Sequence, residues 1–341
     1  MQNSKISQPS AQDSAPSRGN FTCAICHHVG EHALYHAPEF QNGMGVVFPY
    51  FECSGCGCVQ HVAIPADLGR YYPNHYYSHQ PVKSQGWSAR LRNALARRGS
   101  WYALNGKGIL GALYNLVSPE MNLFKLGRIG IDRDTRILDV GSGTAGSLNF
   151  LADEGFRHVT GIDPFIHESV NHANGLQVLK RDFQSLEGTW DVIIFNHSLE
   201  HMPNHAETLR KASEVLADDG WCIIEIPTVS SYAWRHYGIF WHQLDAPRHL
   251  YLHSLESFRI LAEGAGFEIR ETLFTSNTSQ FWGSENYRRG VKPKVSRSVF
   301  EQIASLIYRV TTCLPQYLKT RQLNRQGLGD QVAFYLRKKG A

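Results

Sequence analysis

The sequence predicts an α/β protein in which a doubly wound, parallel-rich sheet follows a small cysteine-rich module. Three observations support this fold class. Strand-like apolar segments alternate with helical segments from Asp134 onward. Five of the seven cysteines lie between Cys23 and Cys58. Between these two parts, Trp87–Leu126 has leucines at helical spacing, so we expect two units joined by a helical linker.

Two CxxC pairs, Cys23–Cys26 and Cys53–Cys56, stand out in the cysteine-rich module. Each pair can bring two thiolates to one ion, and four thiolates make the tetrahedral set that suits zinc. The N-terminus has no apolar segment typical of a secretory signal, and clustered cysteines then favour metal binding over disulfides. Free buried thiols or a redox pair are the alternatives. We predict a zinc-ribbon-like module with one structural Zn²⁺ on Cys23, Cys26, Cys53 and Cys56.

Seven strands are predicted for the sheet. The fourth is an almost purely apolar run, as expected for a strand covered on both faces. A helix from about His205 to Leu216 follows it, and Ser254 is expected to cap a later helix. The strands are Arg136–Val140, His158–Asp163, Leu176–Asp182, Trp190–Asn196, Trp221–Pro227, Phe267–Phe274 and Gln331–Arg337.

A glycine-rich loop, Gly141-Ser-Gly-Thr-Ala-Gly146, follows the first strand and opens a helix. The pattern matches GxGxxG, which alone is weak evidence and is also compatible with a dinucleotide pyrophosphate. Acidic residues at the ends of successive strands are more informative. Asp139, Asp163 and Asp182 should meet at the carboxyl edge of the sheet, where ligands bind in this architecture. Carboxylates repel a pyrophosphate but attract a cationic cofactor such as S-adenosylmethionine (SAM), which carries an ammonium and a sulfonium.

Several motifs resemble those of a known family. The segments 137–143, 161–164 and 190–201 resemble successive motifs of class I SAM-dependent methyltransferases. The segment 244–251 resembles the "D-x-P-R-H-L" stretch of the methyltransferase-23 type. The two CxxC pairs, with tyrosines at 71–77, resemble bacterial members found in sugar, capsule and lipopolysaccharide biosynthesis. The resemblance implies a Rossmann-like fold and SAM as the cofactor.

The resemblance and the loop pattern together nominate a set of cofactor-binding residues. The glycine loop and Asp163 would contact SAM, Asp182 and Phe183 would surround the adenine, and Asn196 would lie near the methionine end. The full set is Asp139, Gly141, Ser142, Gly143, Gly146, Asp163, Asp182, Phe183 and Asn196.

Two polar segments are candidates for the acceptor side. One follows the fourth strand and contains His201. The other contains Asp245, Arg248 and His249. A neutral imidazole is a suitable base, so we predict His249 or His201 as the base, Asp245 as its orienting group, and Arg248 as an anion-binding group. Alternatively, His201 bonds its own loop backbone, and Arg248 pairs with Asp245 to brace the loop.

Charge is distributed unevenly along the chain. The net charge is +4, and most of the excess positive charge lies after Phe281, where the chain has twelve Lys and Arg residues but three acidic residues. The region 276–329 interrupts a turn before the last strand and is expected to be a helical, basic insertion. It is interpreted either as a lid that binds acceptor phosphate, with peripheral membrane contact as a further possibility, or as a solvated surface hairpin.

These observations give the predicted organisation of the chain. We expect a disordered tail at 1–20, a zinc-binding module at 21–80, a helical linker at 81–130, and a methyltransferase domain at 131–341 with the insertion at 276–329. The predicted fold is a Rossmann-like, seven-stranded doubly wound sheet behind the zinc module. No apolar run is long enough to cross a bilayer, and a cytoplasmic location is expected.

The predicted activity is SAM-dependent methyl transfer to a small-molecule or glycan acceptor, such as a nucleotide-sugar or lipid-linked saccharide in polysaccharide biosynthesis. An RNA methyltransferase is a second hypothesis, but the first 130 residues have no dense Lys/Arg stripe for phosphate. A non-catalytic SAM-binding protein is a third. A nicotinamide-dependent oxidoreductase is disfavoured by Asp139. The sequence leaves the acceptor atom and the oligomeric state undetermined.

Overall fold

A computed structural model of the chain describes residues 16–72, 87–117, 121–143, 145–290 and 314–340. The chain forms two compact units that interleave along the sequence. The first contains Met1–Tyr72, His197–Leu209 and Ile224–Tyr335, and the second contains Pro73–Asn196, Arg210–Ile223 and Leu336–Ala341. The predicted domains were consecutive, whereas each compact unit combines segments that are distant in sequence.

The first unit contains a five-stranded antiparallel sheet built mainly from the cysteine-rich region. Its strands are β1 (Ser17–Thr22), β2 (Val29–Pro38), β3 (Val47–Glu52), β4 (Val59–His61) and β11 (Tyr251–Leu252), in the order β1-β2-β3-β4-β11. Strand β1 begins inside the predicted tail 1–20. The tail prediction is therefore wrong for residues 17–20, because their backbone pairs with β2 from Leu34 to Glu31. Residues 1–15 lie outside the described part.

A shared hydrophobic core holds this sheet against a much later segment of the same unit. Phe48, Tyr50 and Val59 from the sheet are buried against Trp234 and Trp241. The remaining core members are Ala37, Tyr71, Val229, Ala233, Ile239, Leu244, Ala246 and Leu252. Because the strands of the cysteine-rich region are short, much of their apolar surface is buried by residues 229–252.

The second unit contains the central parallel strands that the sequence predicts. Strands β5 (Ile137–Val140), β6 (Val159–Ile162), β7 (Val170–Asn171), β8 (Gln177–Leu179) and β9 (Trp190–Asn196) follow the order β9-β5-β6-β8-β7. All the pairings are parallel except that between β7 and β8. Helix α4 (Gly146–Asp153) connects β5 to β6. The unit also contains α1 (Trp87–Asn105), α2 (Ile109–Val117) and α3 (Met121–Gly127).

Three further strands complete an eight-stranded sheet. They are β10 (Leu216–Pro227), β12 (Phe267–Phe274) and β13 (Gln331–Lys338), with β13 between the other two. The intervening helices are α5 (His205–Val215), α6 (Tyr232–Tyr237), α7 (Leu255–Gly264), α8 (Ser279–Arg288) and α9 (Leu314–Arg325). Ser254 accepts the backbone N–H of Ser257 and caps α7, as the sequence predicts.

The predicted mostly parallel α/β sheet is confirmed, with differences at particular strands. β9 and β12 have the predicted bounds. β10 begins at Leu216 rather than Trp221, because the chain becomes extended directly after α5 and Leu216 is buried. The eighth strand, β7, has only two residues, too few to produce a periodic signal in the sequence.

The predicted helical, basic insertion at 276–329 contains α8 and α9, and its residues 291–313 lie outside the described part of the chain. Among the helices that are described, none combines the length and the apolar character needed to cross a bilayer.

Gly161 is predicted to be essential for the packing of β6 beneath the glycine loop. A Cβ atom at Gly161 would lie 2.4 Å from Ser142 Oγ and 2.9 Å from its Cβ. We expect Gly161→Ala to lower the free energy of unfolding by about 1–3 kcal/mol because the loop must shift. Chemical denaturation would measure this. Gly264→Ala is the control, since a Cβ there meets no atom within 4 Å; equal effects of the two substitutions would contradict the packing argument.

Candidate functional site

The glycine loop between β5 and α4 adopts backbone conformations that require its glycines. Gly141 and Gly143 have φ values of 77° and 52°. At Gly146 an added Cβ would meet no atom within 4 Å, so open space borders the start of α4. Ser142 Oγ is buried and has no hydrogen-bond partner among the described residues. The loop therefore presents an open concave surface and one unsatisfied hydroxyl.

Asp163 ties this loop to the end of β6. One carboxylate oxygen accepts the backbone N–H of Gly143 at 3.1 Å, and the other accepts that of Phe165 at 2.8 Å. Asp163 is itself buried. These bonds fix the carboxylate at the carboxyl edge of the parallel strands, where the sequence predicts a binding residue.

Asp139, in β5, lies in a poorly hydrated part of the second unit. Loss of hydration raises its pKa to about 7, although the positive charge of Lys125 opposes this shift and Asp163 adds to it. Asp139 lines a small cavity that is partly open to solvent. The other lining residues are Asn122, Lys125, Leu126, Leu148, Ile194, Asn196 and Ile223.

Lys125, in α3, is a residue of this cavity that the sequence analysis missed. Its side chain is only 2% exposed, and its Nζ donates to Asn196 Oδ1 at 2.7 Å. Asn196, the last residue of β9, is one of the predicted binding residues. A lysine between Phe124 and Leu126 in an otherwise apolar helix is the one signal in the sequence that could have identified it.

The two predicted adenine-side residues have different surroundings. Asp182 is exposed and accepts the backbone N–H of Gln184 at 2.8 Å, which caps a short 3-10 helix. Phe183 is buried, and its ring meets Phe195 edge-to-face, with centroids 5.4 Å apart. Phe183 therefore contributes at least part of its surface to the core of the second unit.

In the first unit, His201 belongs to a polar cluster with Tyr72. Its Nδ1 lies 3.0 Å from the backbone oxygen of Arg248 and 3.1 Å from the hydroxyl of Tyr72. Because a carbonyl can only accept, the contact with Arg248 assigns the proton to Nδ1 and the lone pair to Nε2. The imidazole thus bonds the backbone of another segment rather than that of its own loop.

His249 is almost fully buried beside His201, with ring centroids 4.7 Å apart. Its Nδ1 donates to the backbone oxygen of Gln243 at 2.7 Å. Burial, and to a lesser extent the neighbouring His201, lower the pKa of His249 to about 3. His249 is therefore neutral and a weak base near pH 7.

The structure brings Asp245 and Arg248 together. Arg248 donates to Asp245 at 2.5 Å, and both side chains are largely buried. Asp245 Oδ2 also lies 3.7 Å from His249 Nε2. Asp245 has a φ of 42°, so the loop bends sharply at this residue. The ion pair corresponds to the bracing alternative that the sequence left open.

Glu200 was not among the predicted site residues, although it directly precedes His201. It is 1% exposed, and its Oε1 lies 3.3 Å from His197 Nδ1. Burial opposes ionisation of Glu200, but the bond to His197 and the neighbouring imidazoles lower its pKa overall. Its Oε2 has no hydrogen-bond partner among the described residues. Ligand atoms of Glu200, His201 and His249 lie within 4.8 Å of one another.

The four predicted zinc ligands converge in the first unit. The sulfur atoms of Cys23, Cys26, Cys53 and Cys56 lie within 4.8 Å of one another, with Cys23–Cys56 and Cys26–Cys53 distances of 3.6 Å. The hydrogen bond with the Cys56 thiol holds the pKa of Cys23 below its usual range, and N–H donors from Ile25 and Gln60 act in the same direction. The set has the chemistry of a closed tetrathiolate metal site.

The two CxxC turns repeat the same backbone bonds. His27 N donates to Cys23 O, and Gly57 N donates to Cys53 O at the equivalent place. Both donors have positive φ, 58° at His27 and 72° at Gly57. Cys58, a spare thiol, is buried but does not belong to the four-sulfur group.

The cysteine cluster is connected to the segment that holds His249. Ser254 Oγ donates to Cys56 O at 2.5 Å, and Tyr50 donates to His249 O at 2.9 Å. The imidazole of His61 contacts Pro247 O at 3.1 Å. These bonds make the five-stranded sheet a support for the polar loop.

Comparison with known proteins identifies a family for the central region. Residues 114–272 match the methyltransferase domain family of the methyltransferase-23 type. No curated protein matches the chain. The matched region includes β5 to β12, the glycine loop and both predicted histidines.

Solved structures with a similar fold are methyltransferases and related enzymes at low identity. A cyclopropane synthase from Mycobacterium tuberculosis is 15% identical, with a TM-score of 0.40, covering 63% of this chain and 82% of that one. A SAM-dependent methyltransferase from Thermotoga maritima is 16% identical, with a TM-score of 0.40, covering 74% and 96%. The StiE O-methyltransferase domain is 12% identical, with a TM-score of 0.38, covering 76% and 84%. These scores are too low to bear on the chemistry of the site.

Proposed function

From the premise that residues 114–272 make this chain a SAM-dependent class I methyltransferase, we propose that it methylates a hydroxylated small molecule or glycan. A nucleotide-sugar or lipid-linked saccharide is the acceptor class that we favour. The observation that carries this proposal is the cluster of Tyr72, Glu200 and His201, which offers a hydroxyl, a carboxylate and an imidazole. Such groups can hydrogen-bond and deprotonate a polar acceptor.

Charge supports a small acceptor over a nucleic acid. Between residues 16 and 72, Arg18 and Arg70 are the only Lys or Arg residues. A surface that follows a phosphate backbone needs many more cationic groups.

The cavity side of the second unit fits the proposed cofactor. The open space at Gly146, the unsatisfied Ser142 hydroxyl and the charged groups near Asp139 suit a polar, charged molecule. The residues proposed to hold SAM are Asp139, Gly141, Ser142, Gly143, Gly146, Asp163, Asp182, Phe183 and Asn196. When bound, SAM supplies a methyl group on a positively charged sulfur.

His201 is the proposed base. The proton on Nδ1 is fixed by the backbone oxygen of Arg248, so Nε2 can take the acceptor's proton as the acceptor oxygen or carbon is methylated. The Glu200 carboxylate stabilises the imidazolium that results. His249 is a weaker candidate because its pKa is about 3. Asp245 and Arg248 are proposed to hold the loop in shape through their ion pair.

The four-cysteine cluster is proposed to bind one structural Zn²⁺. Its donor set is closed, and the bonds from Ser254 and Tyr50 couple its geometry to the His249 loop. The ion then stabilises the loop rather than the reacting groups.

The test of the function is methyl transfer from SAM labelled in its methyl group. Purified protein is incubated with a panel of nucleotide-sugars and lipid-linked saccharides, with total RNA as the comparison acceptor. Label in a saccharide supports the proposal. Label in RNA alone contradicts the acceptor class, and SAM binding without transfer to any acceptor contradicts the catalytic role.

The affinity for SAM is predicted to rise as the pH increases through about 7. Asp139 has a pKa of about 7 in the free protein, so it is increasingly protonated below this pH and must lose its proton to bind the ammonium of SAM. Titration calorimetry between about pH 6 and 7.5, below the usual pKa of an α-amino group, would measure this. Asp139→Asn should bind more weakly and lose the dependence; an unchanged dependence in that variant would exclude Asp139 as its source.

His201→Gln is predicted to reduce turnover by about 10²–10⁴-fold with SAM affinity unchanged, because the proton acceptor is lost. Single-turnover kinetics and calorimetry on the same preparation would separate the two effects. His158→Gln is the control, since His158 is exposed and lies outside the cluster. Comparable turnover losses in both variants would argue against a base at His201.

One zinc ion per chain is expected in protein purified without chelators. Cys56→Ser should lose the metal and unfold at a lower temperature, because the thiolates require their cation. Cys58→Ser is the neighbouring control and should retain it. Elemental analysis with thermal unfolding would check both variants. The site would be refuted by a wild-type protein that contains no metal and that unfolds at the same temperature with and without added zinc.

A further inference from the structure

We propose that Lys125 binds the α-carboxylate of the methionine end of SAM, while Asp139 binds the α-ammonium. This inference rests on the proposed cofactor site and adds a residue that neither the motifs nor the family match assigns. Opposite charges on two sides of one cavity would then recognise an amino-acid zwitterion.

The composition of the cavity is the first argument. Of its eight lining residues in the described part of the chain, only Lys125 and Asp139 are charged, and four are Leu or Ile. Asn122 and Asn196 supply the polar, uncharged groups. A cavity with one cationic and one anionic side chain in apolar surroundings matches the end of a free amino acid, whose two charges are one carbon apart.

The position of the Lys125 ammonium is the second argument. Nζ is held by Asn196 Oδ1 at 2.7 Å, at the end of β9 and at the same sheet edge as Asp139. This bond fixes the ammonium at the cavity wall. The Asn196 side-chain NH₂ group provides additional donors for a carboxylate oxygen.

Energetics is the third argument. Leu123 and Leu126, the buried neighbours of Lys125 in α3, are apolar, and an apolar residue at position 125 would avoid the cost of burying an ammonium. Lys125 favours the charged form of Asp139, yet the pKa of Asp139 stays near 7. The lysine therefore compensates only part of the cost of charging Asp139, and a bound ammonium would supply the rest.

A role confined to neutralising Asp139 is the competing explanation. It predicts that loss of Lys125 affects SAM and decarboxylated SAM similarly, because both carry the ammonium that is proposed to bind Asp139. Carboxylate binding predicts a loss only for ligands that carry a carboxylate. Ligands that differ in this one group therefore separate the two explanations.

The experiment measures three dissociation constants by titration calorimetry. The ligands are SAM, decarboxylated SAM, which lacks only the carboxylate, and 5′-methylthioadenosine, which lacks the whole amino-acid end. Lys125→Met should weaken SAM binding about tenfold or more, as expected for a charge-assisted bond, and should leave the other two constants within about threefold. Lys107→Met, at an exposed lysine of the same unit, should change none of them.

In Lys125→Met, equal losses for SAM and decarboxylated SAM would overturn the proposal, and so would equal losses for SAM and 5′-methylthioadenosine or unchanged SAM binding. Should Lys125→Met fail to fold, the wild-type protein still decides: it must bind SAM at least about tenfold more tightly than decarboxylated SAM. Equal affinities for SAM and decarboxylated SAM would refute the role of Lys125 but not the proposed cofactor site. Absence of binding by both SAM and 5′-methylthioadenosine would instead refute the proposed cofactor site.

Discussion

The shared hydrophobic core of the first unit is the constraint on which its polar chemistry depends. The cysteine-rich strands bury Tyr50 and Phe48 against Trp234 and Trp241, which come from residues almost 200 positions later. Each fully buried side chain of this size contributes roughly 1.5–3 kcal/mol. Without this core, the loop that holds Arg248 and His249 would lose the side chains that bond its backbone and orient it, among them Tyr50 and His61.

The neighbouring imidazoles of His201 and His249 illustrate how burial assigns different roles to similar residues. His201 and His249 both have Nδ1 near a backbone oxygen, so both carry the lone pair on Nε2, which in His249 lies 3.7 Å from Asp245 Oδ2. His249 is almost fully buried and has a strongly lowered pKa, whereas His201 is partly exposed. Proton transfer needs a base that can hold the proton at the working pH, which favours His201.

In the second unit, burial of Asp139, offset only in part by Lys125, reduces the negative charge that the sequence predicts at this position. A carboxylate near the glycine loop was expected to attract a cationic cofactor because it is charged. Its pKa near 7 means that the charge is present only in part at neutral pH. Binding of a cation at Asp139 would therefore be coupled to the release of its proton.

The sequence by itself determined the elements with strong local signals. The bounds of β9 and β12, the cap at Ser254, the glycine loop and the four converging cysteines follow from apolar periodicity, turn residues and ligand spacing. The fold class, and the match of residues 114–272 to a methyltransferase domain family, agree with the same patterns. The strand bounds, the cap and the glycine loop depend on neighbours within a few residues. Each CxxC pair is also a local signal, although Cys23 meets Cys56 across 33 positions.

Only the tertiary structure decided which distant side chains meet. Two contacts, Tyr72 with His201 and Lys125 with Asn196, join residues 71 or more positions apart. The burial of Glu200 is a further feature that no local sequence pattern reports. The structure also selects the pairing of Asp245 with Arg248 from the alternatives that the sequence left open, and packing sets the low pKa of His249. Desolvation and side-chain contact are set by packing, so they became visible only when the chain was folded.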